Sequence, residues 1–148
     1  MLKLELISGN PEGEAARLLA VSRRAEEGLA LTEAQARTVA QAHGDALRRT
    51  GRIEFGKSAA ESLLEAFAGS PWLTRENQGQ QLAELLTLFY DCRAELPDLL
   101  PDGWLLERMR RAYDGPCEGC MELMGDCFLL RLPRHLRQGG RLEDFSWT

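Results

Sequence analysis

The stretch Thr50-Gly51-Arg52-Ile53-Glu54-Phe55-Gly56-Lys57-Ser58 separates two strongly helical regions and decides how the chain is organised. Ile53 and Phe55 alternate with Arg52 and Glu54 at the period of two that marks extended backbone. The alternation predicts that both apolar side chains point into the core, which would make Phe55→Ala strongly destabilising. Gly56 suits a positive φ, where a Cβ is strained. Ser58 followed by Glu61 has the capping-box spacing, so a helix begins there.

Upstream, Asn10-Pro11 reads as a helix start, with Ala15, Leu18, Leu19, Ser22 and Ala25 on one face and an end near Gly28. Thr32 with Gln35 is a second capping box. Its helix runs to about Thr50 and turns Ala36, Val39, Ala40, His43 and Leu47 inward. Downstream, a short helix carries Leu63, Leu64 and Phe67 and stops at Gly69-Ser70-Pro71. Thr74 caps the longest candidate, where Leu82, Leu85, Leu86, Phe89, Cys92 and Leu96 recur at three- and four-residue steps. After Pro97 and Pro101, Asp102 can cap a further helix carrying Leu105, Leu106, Met109 and Tyr113. Residues 116–132 read as helical but interrupted by Gly119 and Gly125.

Five or six amphipathic helices with short connections predict an all-α bundle, a single domain over residues 1–148. Residues 1–10 read as an N-terminal arm or edge strand, and residues 133–148 as an irregular tail. If residues 2–7 and 51–55 are both strands, they form a short two-stranded element.

The 148 residues suit one domain, and 44% hydrophobic content with 28% charged content supports a packed, soluble core. The net charge of −5 is dispersed, and the doublets Arg23-Arg24, Arg48-Arg49 and Arg110-Arg111 each have acidic neighbours. Nucleic-acid binding relies on clustered cations, so that partner class is not expected. No stretch approaches the roughly 20 apolar residues of a membrane span, and the start has no signal-peptide pattern. The expected setting is the cytoplasm, with four reduced cysteines and no membrane partner.

Cys117-x-x-Cys120 with Cys127 and His135 is the one pattern with metal-ligand or redox character. Its spacing lacks a second matching pair, and small apolar packing explains it equally well, so no cofactor is expected. His43 stands on an apolar stripe, where a hydrogen-bonded core histidine competes with a base or ligand. Glu54 stands on a constrained segment where burial would raise its pKa, the alternative being an exposed residue or an ion pair with Arg52. No nucleophile elbow or phosphate loop occurs.

The order of these features resembles a bacterial family of small cytoplasmic proteins of unknown function (DUF6323-like). The resemblance rests on Leu31-Thr32-Glu33, Gly51 to Gly56, Phe67 with Ser70-Pro71, Asn77, Leu85 to Phe89-Tyr90, Met109, Tyr113-Asp114, Gly119 and Gly125. It spans about Ala15 to Leu132 and implies a helical single domain, with no activity or ligand attached. A Gly-Ser-Leu-Glu-Tyr-Leu-like stretch of the family stands where this chain has Gly119-Cys120-Met121-Glu122-Leu123-Met124. Serine is a poor zinc ligand, which weakens the metal reading.

Three functions therefore stand as expectations. The first is a non-enzymatic protein-interaction or assembly module, a homodimer included, with Trp72, Trp104 and Trp147 as candidate anchors. The second is a small-molecule binder or enzyme with an inter-helix pocket drawn from His43, Glu54, Asn77, Tyr90 and Asp114. The third is a cysteine-based metal or redox site.

Overall fold

A computed structural model describes residues 11–24, 29–97 and 100–147 and shows an all-α architecture. Helix α1 is Pro11–Arg24, α2 is Glu33–Thr50, α3 is Ala59–Phe67, α4 is Gln78–Glu95 and α5 is Asp102–Asp114. A short α6, Met121–Gly125, runs through a π-helical turn at Asp126–Arg131 into α7, Leu132–Arg137, and a 3₁₀ turn follows at Leu142–Asp144. Among the described residues there is no strand. Residues 51–55 carry no regular secondary structure, and the proposed partner at 2–7 lies outside the described residues, as does the expected arm.

Both capping boxes form as their spacing predicts. The Thr32 hydroxyl accepts from the Gln35 N–H while the Gln35 side chain accepts from the Thr32 N–H, and Ser58 with Glu61 does the same. The turn before α4 uses a related reciprocal pair. The Thr74 N–H donates to Asn77 Oδ1 at 2.7 Å, and the Asn77 N–H donates to Thr74 Oγ1 at 3.1 Å. The apolar stripes of α2 to α5 face one core, in which Phe67, Phe89, Tyr90 and Tyr113 are fully buried. Gly51 closes α2 in the left-handed region at φ 72, its N–H donating to the Leu47 carbonyl.

Two departures concern the C-terminal third. The tail expected to be irregular is helical through Arg137, because Pro133 sits in the first turn of α7, where a missing N–H is harmless. Gly125 does not interrupt its helix (φ −61); hydrogen bonding there changes from α to π, so that the Leu132 N–H reaches the Cys127 carbonyl. Gly119 does break the chain, at φ 74 beneath Trp72.

Helices α2 and α4 pack closely at Gly79, where a Cβ would stand 2.8 Å from Gln35 Cγ and 3.2 Å from its Cα. Gln35 cannot easily move, since its amide also donates to the Arg75 carbonyl at 2.6 Å and accepts from Gln78 at 2.9 Å. Alanine would gain up to about 1 kcal/mol in helix propensity, against about 1–3 kcal/mol for overpacking. Gly79→Ala is therefore expected to lower the urea midpoint. An unchanged or raised midpoint would show that the helices have slack at this crossing.

Candidate functional site

The feature that distinguishes this core is an ionic chain running through it. His43 projects from the inward stripe of α2 and is 1% exposed. Its Nδ1 meets Glu14 Oε2 of α1 in direct contact, and neither atom has another hydrogen-bond partner. Its Nε2 lies 2.8 Å from Glu54 Oε1. The second Glu54 oxygen accepts from the Tyr90 hydroxyl of α4 at 2.5 Å and pairs with Arg52 Nε at 3.1 Å. Arg52 continues outward to Asp102 at the start of α5, and Arg93 Nε reaches the same carboxylate at 3.1 Å. The Arg52 guanidinium also lies over the Tyr90 ring, 5.6 Å from its centroid.

Three cations and three anions thus alternate from the interior to the surface. Burial alone would lower the His43 pKa, but hydrogen bonds and charge from Glu14 and Glu54 outweigh it and raise the value to about 9. Glu54 shows the opposite balance: burial pushes its pKa up, while His43, Tyr90 and Arg52 hold it below the ordinary value. The expectation that burial would raise it is corrected by these partners. Tyr90 is raised, first by burial and then by the Glu54 charge.

The chemistry open to this group follows from those states. At neutral pH His43 is an imidazolium with both nitrogens engaged, so it is not a general base. Tyr90 stays protonated, and Glu14, His43 and Glu54 are buried. The arrangement instead ties α1, α2, the 51–56 segment, α4 and α5 to one another.

That tie inverts the expected orientation of the 51–56 segment. Arg52 and Glu54 turn inward, and Ile53 and Phe55 are each 71% exposed. The period of two was correct, but the buried charge on α1 and α2 draws the polar face in. Gly56, at φ 73, does hold the left-handed conformation. A cavity of about 420 Å³ opens beside the segment, lined by Thr50, Arg52, Ile53, Tyr90, Arg93 and Asp102.

Of the five candidate ligand-binding residues, His43, Glu54 and Tyr90 come together. Asn77 and Asp114 belong to a different set of bonds. Asn77 Nδ2 donates to the Trp72 carbonyl at 3.1 Å. Asp114 accepts from the Ser70 hydroxyl at 2.6 Å and pairs with Arg110. Glu14, Arg93 and Asp102 were not among the candidates. Glu14 carried a readable signal, being in helical phase with Leu18 and Val21 on the buried face of α1.

The four cysteines are free, and Cys92, Cys117 and Cys127 are buried. Burial pushes the Cys92 thiol up to about 12 and the Cys127 thiol to about 11, and it raises Cys117 as well. His135 is occupied with the Arg141 carbonyl at 2.6 Å. Among the described residues no three His, Cys, Asp or Glu side chains are grouped to hold a metal ion.

The sequence pattern of DUF6323, a family of unknown function, matches residues 18–142. The chain belongs to that family. The match includes His43, Arg52, Glu54, Tyr90, Arg93 and Asp102, whereas Glu14 lies just before it. No curated protein and no solved structure matches this DUF6323 chain. No helix among its described residues is long and apolar enough to cross a membrane.

Proposed function

We propose that this DUF6323 protein is a non-enzymatic interaction module of the bacterial cytoplasm that grips a protein partner with its Gly51–Gly56 segment. The observation carrying this reading is the exposure of Ile53 and Phe55 on a segment whose other face is locked by the ionic chain. A segment already fixed loses little conformational freedom on binding, which is the advantage of preorganisation. Burying each side chain would contribute about 1.5–3 kcal/mol. Among the described residues, no backbone hydrogen bond ties 52–57 to another segment, and strand addition is the binding mode that would use these N–H and C=O groups. The partner is thus a protein offering an extended edge beside an apolar groove, a second copy of this chain included.

The inter-helix pocket reading has its own observation in the cavity beside Arg52, but only Tyr90 of the five candidates lines it, and Arg52 and Arg93 there already share Asp102. Thiols kept protonated by burial lend no support to cysteine chemistry.

The test is the double substitution Ile53→Ser and Phe55→Ser. Since both side chains are exposed in the free protein, its unfolding free energy should stay within about 0.5 kcal/mol of the parent. Partner recovery from the native host, read by mass spectrometry, or self-association read by sedimentation, should be lost. Retained association, or an unfolded double variant, would overturn the reading.

A further inference from the structure

On α5, Trp104, Arg108 and Arg111 follow the i, i+4, i+7 pattern and share a face distinct from the inward Leu105, Leu106, Met109, Ala112 and Tyr113. The C-terminal segment crosses this face and encloses a cavity of about 520 Å³ between Trp104, Arg108, Arg111, Leu142, Phe145 and Trp147. Phe145 and Trp147 meet edge to face, with centroids 4.7 Å apart at 82°, and Trp104 lies 6.2 Å from Trp147. The segment is anchored from behind. Phe128 of the π-helical turn packs on Trp147 at 5.5 Å, and Arg131 donates to the Ser146 carbonyl at 2.5 Å. Gly140 lets the chain cross His135, since a Cβ there would stand 2.3 Å from the ring.

Two features indicate an occupant. The indole N–H of Trp72 donates to the Asp114 carbonyl at 3.3 Å, whereas among the described residues no hydrogen bond holds the indoles of Trp104 and Trp147, which are only part-buried at the cavity. The lining also carries two cations against one anion. Arg108 lies over the Trp104 ring at 5.3 Å, Arg111 is largely exposed, and Glu143 is already paired with Arg141 at 3.0 Å. Both arginines lean on Glu107, which stands outside the cavity.

We infer that this cavity binds a small organic anion with a planar aromatic body, an aryl carboxylate in chemical class. The flat body lies among Trp104, Phe145 and Trp147, and the carboxylate meets the Arg108 and Arg111 side of the site. Guanidinium–carboxylate bonds are charge-assisted and strong, so an uncharged isostere is disfavoured. The site is separate from the Ile53 and Phe55 surface, and its test is independent of that reading.

The chain has three tryptophans, so three indole N–H resonances report the experiment. The ¹⁵N-labelled full-length protein is titrated with 2-naphthoate and, separately, with 2-naphthamide. Two of the three indole signals, assigned to Trp104 and Trp147 by single Trp→Phe variants, should shift saturably while the Trp72 signal stays put. The amide should bind at least about tenfold more weakly, and Arg111→Gln should remove most of that difference. Because Arg111 is exposed, the variant's spectrum should otherwise match the parent. Absence of saturable shifts, equal shifts of all three indoles, or equal affinity for acid and amide would each overturn the assignment.

Discussion

Glu54→Ala will lower the unfolding free energy by about 3–5 kcal/mol, a large share of the roughly 5–15 kcal/mol that holds a domain together. The loss exceeds that of an ordinary surface ion pair because three donors lose their acceptor together. They are His43 Nε2, the Tyr90 hydroxyl and Arg52 Nε. His43 and Tyr90 are each 1% exposed, so water cannot replace the carboxylate without opening the core. Glu54→Gln should recover part of the loss, since an amide oxygen still accepts from Tyr90 but carries no charge for His43 or Arg52. Urea denaturation of the three proteins reads both differences. A loss below about 1 kcal/mol for the alanine variant would show that the ionic chain is balanced by its own desolvation.

Stability will also fall as the solution turns alkaline, and His43 sets the window. Its folded pKa of about 9 lies above the ordinary 6.5, so its contribution is fully present below pH 6.5 and lost as pH rises through 9. The difference corresponds to about 3 kcal/mol. Glu54 works at the other end: its lowered pKa contributes stability above the ordinary 4.5 that is lost as pH falls. Together the two groups place maximum stability on the mildly acidic side, between 4.5 and 6.5. Denaturant midpoints measured from pH 5 to pH 9 give the alkaline slope. His43→Leu should flatten it, and the His43 imidazole proton resonances should titrate near pH 9 in the parent. A parent protein as stable at pH 9 as at pH 6 would show that His43 is neutral in the fold.

The helices were legible in the sequence because their apolar residues recur at the helical period and because α2 and α3 start with capping pairs. By contrast, α4 and α5 begin at Asn77 and Pro101 without a side-chain cap, not at the expected Thr74 and Asp102. Ala36, Val39, Ala40, His43 and Leu47 face inward on α2 as that period requires. The orientation of the 51–56 segment was not legible in the same way. Alternation reveals two faces without saying which is buried, and apolarity alone selects Ile53 and Phe55. The deciding information lay elsewhere, in a histidine on one apolar stripe and a glutamate, Glu14, on another. Buried charges need partners, so the polar face of the segment that follows α2 turns toward them. His43, Glu54 and Tyr90 were readable as candidates, but Arg93 and Asp102 join them only through folding. The aromatic cavity was illegible for a similar reason. Trp104 and Trp147 are far apart in the chain, and the segment bringing them together follows a helix that Pro133 starts where the sequence suggested an irregular tail.

The ionic chain also bears on how fast the molecule comes apart. Its links span 11 residues from His43 to Glu54, 36 from Glu54 to Tyr90 and 50 from Arg52 to Asp102. No local stretch can assemble it, and stripping water from Glu14, His43 and Glu54 is unfavourable until their partners are in place. The helices can therefore collapse on their apolar stripes first, leaving the charges to lock afterwards, on the native side of the folding barrier. Interactions formed that late slow unfolding while leaving the folding rate nearly unchanged. For a molecule holding Ile53 and Phe55 out in water, a long native lifetime limits how often the apolar interior is bared beside them, and so limits aggregation as a matter of kinetics.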